Sequence, residues 1–191
     1  FEAALKQTGM NGHDVRFALE HAQVITPRDI PRLAALGVIA SVQPLHATED
    51  MHFAEARLGP ERMNGAYAWS TMLDNGIVVA TGTDYSVSPY NPFYTLHAAV
   101  TRQDRNNNPP GGWYPEEALT REEALYAATM AGAYGMRAED SRGASEVGKL
   151  ADFVAIPFDY MTVPAEDLWK ITPDMTVVGG EVVYSRPVDA D

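Results

Sequence analysis

His21 follows the apolar run Val15-Arg16-Phe17-Ala18-Leu19, and Asp84 follows the run Ile77-Val78-Val79-Ala80-Thr81. Parallel strands point their carboxyl ends at a common mouth, so a His and an Asp delivered by two such ends can converge on one metal ion. The same spacing suits a buried His satisfied by a carbonyl and an Asp that caps the following helix, and spacing alone leaves both readings open. His46 stands just beyond a third run, Val38-Ile39-Ala40-Ser41-Val42, within Gln43-Pro44-Leu45-His46. There it could touch a substrate, stabilise developing charge, or simply pack. His97 shares a helical stripe with Phe93, Leu96 and Val100, which predicts burial with one satisfied ring nitrogen. His13 reads as a turn residue and His52 as a loop residue.

The chain has no Cys, which excludes disulfides, thiolate zinc sites and a cysteine nucleophile. Any transition metal must take nitrogen and oxygen ligands. A phosphate loop, a nucleophile elbow, a dinucleotide fingerprint and a helical His pair are all missing from the sequence. Trp113 and Tyr114 could cover a substrate pocket or pin their own loop. Glu116-Glu117 with Glu122-Glu123 reads as a solvated acidic face.

The elements that position these residues recur as apolar run, loop and helix, the pattern of parallel strands joined by crossover helices. Thr26 and Pro27 open a helix that Gly37 stops. Residues 60–75 predict one helix with Ala66, Trp69, Met72 and Leu73 on a common side and Gly76 as its end. Asn91-Pro92 starts another. Residues 102–119 form a long loop rich in Asn, Pro and Gly, and Thr120 with Glu123 makes a capping box for the helix beyond it. Residues 150–156 and 176–184 read as strands, the second broken at Gly179-Gly180 as a tight hairpin.

Lys plus Arg number 14 against 26 Asp plus Glu, a net charge of −12. That balance makes nucleic acid and anionic membrane poor partners. Hydrophobic residues make up 46% of the chain, enough for a sizeable core. No apolar run approaches the roughly 18 residues that span a bilayer. The chain opens on Phe1 with no Met and no signal-like segment, so its first residues read as the interior of something longer, and the expected location is cytoplasmic.

Glu20-His21-Ala22-Gln23, Ser41-Val42-Gln43-Pro44-Leu45-His46-Ala47 and Gly82-Thr83-Asp84 occur in that order. They are joined by Leu58-Gly59-Pro60-Glu61-Arg62, Ala98-Ala99-Val100-Thr101-Arg102, Gly111-Gly112-Trp113-Tyr114-Pro115 and Gly148-Lys149-Leu150-Ala151-Asp152. Together they resemble the last three barrel strands of the amidohydrolase superfamily. More closely, the chain is similar to the amidohydrolase-three group that includes N-substituted formamide deformylases.

The resemblance implies an α/β fold: the carboxyl-terminal part of a (β/α)8 TIM barrel over residues 1–145, followed at 146–191 by strands of a small β-sandwich. It implies a metal-dependent hydrolase of carbon–nitrogen bonds in small amide-type molecules, with a divalent metal, zinc by its donor set. It implies that His21 and Asp84 are metal ligands, that Asp84 also takes the proton of the attacking water, and that His46 faces the substrate. The family's His-x-His pair and its fourth- and fifth-strand ligands have no counterpart here, and a barrel of this type takes about 250 residues. The expectation is therefore a chain that is inactive alone, that binds zinc weakly or not at all, and that self-associates or pairs with a missing amino-terminal segment through its open strand edge. A non-catalytic α/β interaction or assembly module is the alternative.

Overall fold

The computed structural model describes residues 1–187, and residues 188–191 of the expected carboxyl-terminal unit lie outside them. Helices α1 (Glu2–Thr8) and α2 (Gly12–Val15) lead into strand β1 (Ala18–Glu20). A 3-10 turn and helix α3 (Ile30–Ala35) connect β1 to β2 (Ile39–Val42). Helices α4 (Pro44–Asp50), α5 (Ala54–Leu58), α6 (Pro60–Met63) and α7 (Trp69–Asp74) then lead to β3 (Val79–Thr81). After β3 come α8 (Pro92–Thr101), α9 (Arg121–Ala128) and α10 (Met130–Gly135). Strands β4 (Phe153–Ala155), β5 (Met175–Val178) and β6 (Glu181–Ser185) close the described chain.

Strands β1, β2 and β3 form a parallel sheet in that order. Glu20 pairs with Ser41 across β1 and β2, and Val42 pairs with Thr81 across β2 and β3. Successive side chains on a strand face opposite ways. Leu19, Ala40, Val42 and Val79 therefore join the main core with Ile30, Trp69, Met72 and Leu96. Ala18, Glu20, Ile39, Ser41 and Ala80 line a cleft on the other face, partly covered by α9 and α10. The chain is thus α/β, as expected, with a second sheet of antiparallel β4, β5 and β6. The β5–β6 hairpin turns at Gly179 (φ 59°) and Gly180 (φ 84°), both in the left-handed region that such two-residue turns require.

Two differences from the sequence reading have clear physical causes. Val15 ends α2 instead of starting a strand, and Arg16 sits in the left-handed region at the helix end. Tertiary contacts hold it there: its guanidinium donates to the Tyr134 carbonyl (2.9 Å), pairs with Glu139 (2.7 Å) and stacks over the Tyr134 ring. The predicted helix over residues 60–75 is broken into α6 and α7. Between them, the backbone joins an extended segment instead: Ile25 N–H donates to the Gly65 carbonyl and Tyr67 N–H to the Gln23 carbonyl, each at 2.8 Å. A Cβ at Gly65 would lie 1.7 Å from the Ile25 carbonyl oxygen, so this pairing requires glycine. The capping box on α9 forms as expected, with Thr120 and Glu123 each satisfying the other's backbone. Glu117 is not simply solvated. It accepts from the Thr71 N–H (3.0 Å) and hydroxyl (2.5 Å) in the first turn of α7.

His97 is buried on α8, and its Nε2 lies 3.0 Å from Asn107 Oδ1, which ties the long loop to the helix. Burial holds this imidazole below its ordinary pKa, with the Asn107 bond and the Asp104 charge partly offsetting it. The folded protein therefore prefers neutral His97. As pH falls below about 6.5 the unfolded chain binds the proton more readily, and this contribution to stability is lost. We expect the melting-temperature gap between the wild type and His97→Gln to narrow from pH 7.5 to pH 5. A gap that stays constant in thermal melts would contradict the assignment.

Candidate metal centre

His21, His46 and Asp84 come together at the carboxyl ends of the three parallel strands, with one ligand atom from each within 4.8 Å of the others. Each arrives on locally unusual backbone or at an element start. His21 (φ 67°) and Ala22 (φ 39°) turn sharply out of β1, and Asp84 (φ 52°) does so three residues beyond β3. Left-handed backbone at non-glycine residues is uncommon and clusters at functional sites. His46 lies in the first turn of α4, which Pro44 opens directly after β2.

The environment fits a cation. His46 Nε2 is buried and has no hydrogen-bond partner among the described residues, and it lies 3.7 Å from Asp84 Oδ2, too far for a hydrogen bond. A buried polar atom without a partner is costly unless something else satisfies it. His21 and Asp84 supply nitrogen and oxygen donors of the kind that suit zinc and its neighbours, with the His46 ring beside them. The Asp84 side chain is 36% exposed and that of His46 13%, so the group is reachable from the cleft. That cleft, of about 1020 Å³, is lined by His21, Gln43 and Asp84 together with Phe153 and Val154 of β4.

Behind His21 lies a polar chain that sequence reasoning passed over. His21 Nδ1 is 2.8 Å from Gln43 Oε1, Gln43 Nε2 donates to Glu20 Oε1 at 2.8 Å, and the Ser41 hydroxyl donates to the same oxygen at 2.8 Å. The available signal was a glutamine directly after a strand buried on both faces, where a polar side chain needs a partner.

Trp113 and Tyr114 do not line the cleft at His21 and Asp84. Trp113 is buried, its indole N–H donates to Glu55 (3.0 Å), and its ring meets the edges of Tyr67 and Tyr114. His52 and His13 are exposed and stand apart from the cluster.

The amidohydrolase family model matches residues 1–184. The chain belongs to the amidohydrolase family. This amidohydrolase-family chain is 30% identical over 181 residues to YtcJ of Bacillus subtilis strain 168, covering 95% of the chain and 34% of YtcJ. It is 25% identical over 195 residues to the N-substituted formamide deformylase of Arthrobacter pascens, covering 97% of the chain and 33% of the deformylase. Its fold is similar to the crystal structure of an uncharacterized metal-dependent hydrolase from Pyrococcus horikoshii, with a TM-score of 0.72, 26% identity, and coverage of 85% of this chain and 32% of that one. The amidohydrolase-family chain thus spans about a third of the length of the curated relatives it matches. Among its described residues, no helix is long and apolar enough to cross a membrane.

Proposed function

We propose that this chain is the carboxyl-terminal portion of a metal-dependent amidohydrolase that cleaves a carbon–nitrogen bond in a small amide or formamide-like substrate. The observation that carries the reading is the convergence of His21, His46 and Asp84 at the mouth of a parallel sheet. In this reading β1 to β3 are the last three strands of a (β/α)8 barrel, residues 1–145 complete that portion, and residues 146–191 contribute to a β-sandwich. The remaining barrel strands and ligands come from outside the chain, which is inactive without them.

His21 and Asp84 would hold a divalent ion, zinc by the chemistry of the donors. When bound, such an ion polarises the substrate carbonyl and makes water acidic enough to be deprotonated near neutral pH. Asp84 accepts the proton of the attacking water and passes it to the leaving nitrogen, as a carboxylate at the reacting centre can do for both half-steps. His46 Nε2, without a hydrogen-bond partner among the described residues, is the atom able to donate to the carbonyl oxygen as negative charge develops there.

The full-length protein is expected to release amine from N-substituted formamides or related small amides, and a chelator to abolish that release. Amine release that is indifferent to chelation would overturn the metal role. Failure of the zinc-loaded protein to hydrolyse any member of an amide panel would overturn the reaction class.

A further inference from the structure

We infer that Gln43, itself held by Glu20, is a positioning residue that fixes the tautomer of His21. The inference rests on the reading of His21 as a metal ligand. Gln43 precedes α4 and is only 5% exposed, so water does not compete for its amide. Its two polar atoms have different neighbours: Glu20 Oε1 at 2.8 Å and His21 Nδ1 at 2.8 Å. A carboxylate has no proton to give, so the amide nitrogen must face Glu20 and the amide oxygen must face His21. That oxygen only accepts, so Nδ1 must carry the proton. A neutral imidazole protonated at Nδ1 keeps its lone pair on Nε2, the form a ligand needs.

Ser41 completes the arrangement. Its hydroxyl donates to the same Glu20 oxygen, and it sits directly across the ladder from Glu20, so the carboxylate is tethered by the sheet. Glu20 orients Gln43, and Gln43 orients His21. Nothing in the chain of bonds depends on an ion being present, so the tautomer is set before any metal arrives.

The test is imidazole nitrogen NMR on the metal-stripped full-length protein, labelled at histidine and held at pH 8, with His21 assigned by the loss of its signals in His21→Asn. The wild type is expected to show His21 in the Nδ1–H form. Gln43→Met removes the acceptor, and Glu20→Ala frees the Gln43 amide to rotate; both should move His21 toward the Nε2–H form. Zinc affinity should fall about 10–100-fold in Gln43→Met, the usual effect of losing a partner behind a ligand. A wild-type His21 in the Nε2–H form, or a tautomer unchanged by both substitutions, overturns the inference. The wild-type spectrum decides the matter alone if neither variant folds. A fixed Nδ1–H form in a protein that takes up no zinc would support positioning by Gln43 while sinking the ligand reading.

Discussion

In the full-length protein, Asp84→Asn is expected to lower turnover by about 100- to 10,000-fold, the range a positioned proton acceptor contributes, while leaving the fold intact. Asparagine keeps the shape of the side chain but cannot take a proton. It is also, with aspartate, the non-glycine residue that best tolerates left-handed backbone, which position 84 adopts with φ 52°. The substitution therefore isolates the chemical loss from a structural one. Steady-state kinetics and thermal melting of the purified variant check the two parts separately, and metal analysis tells loss of the proton acceptor from loss of a ligand. A variant that retains most of its turnover would refute the role of Asp84, and one that melts early would show that the carboxylate is structural.

Arg102→Met is expected to be strongly destabilising. Arg102 is fully buried, with its guanidinium against Trp69 (4.3 Å to the ring centroid) and Trp113 (5.5 Å). Its Nε donates to the Trp113 carbonyl (2.9 Å) and Nη1 to the Tyr67 carbonyl (3.0 Å). These bonds close the base of the loop at 102–119 and fasten it to the segment between α6 and α7. Burial lowers the guanidinium pKa to about 10, against the raising influence of Glu117 and Glu116, so the group remains a cation at neutral pH. Methionine would fill part of the volume but leave the buried Trp113 carbonyl without its donor, take one of two donors from the Tyr67 carbonyl, which keeps the Trp69 N–H (3.1 Å), and remove the cation from its aromatic faces. The loss should be about 3–5 kcal/mol, and at roughly 2–4 °C per kcal/mol for a chain of this size the melting temperature should fall by about 6–20 °C. A fall of under about 3 °C on that same scale would mean the loop is held by other contacts.

The parallel sheet was legible in the sequence because a largely covered strand, such as Ile39–Val42, is nearly all apolar, with Ser41 the exception, and ends abruptly in polar residues. The placement of His21, His46 and Asp84 followed from the same logic, since loops at one end of a parallel sheet must be neighbours. Local chemistry was equally readable at the α9 capping box and the Gly179-Gly180 turn, where the residues act on their own backbone. What the sequence concealed depends on distant partners. The break between α6 and α7 exists because residues 64–67 pair with residues 23–25, and nothing within 60–75 announces that pairing except Gly65. The ligand-like approach of His46 to Asp84 depends on how α4 leaves the sheet, and the anchoring of Trp113 depends on Glu55, 58 residues away.

The bond between Glu20 and Ser41 also governs which alignments of the sheet can form. In the native ladder both residues face the cleft, where their polar atoms meet. Sliding β1 by one residue would exchange the two faces of the strand, driving the Glu20 carboxylate into the layer occupied by Val42 and Val79 and pushing Leu19 out toward water. An unpaired carboxylate in such surroundings costs several kcal/mol. The side chains that orient an imidazole therefore act earlier as a proofreading device, penalising a misaligned sheet during folding, before there is any site to serve.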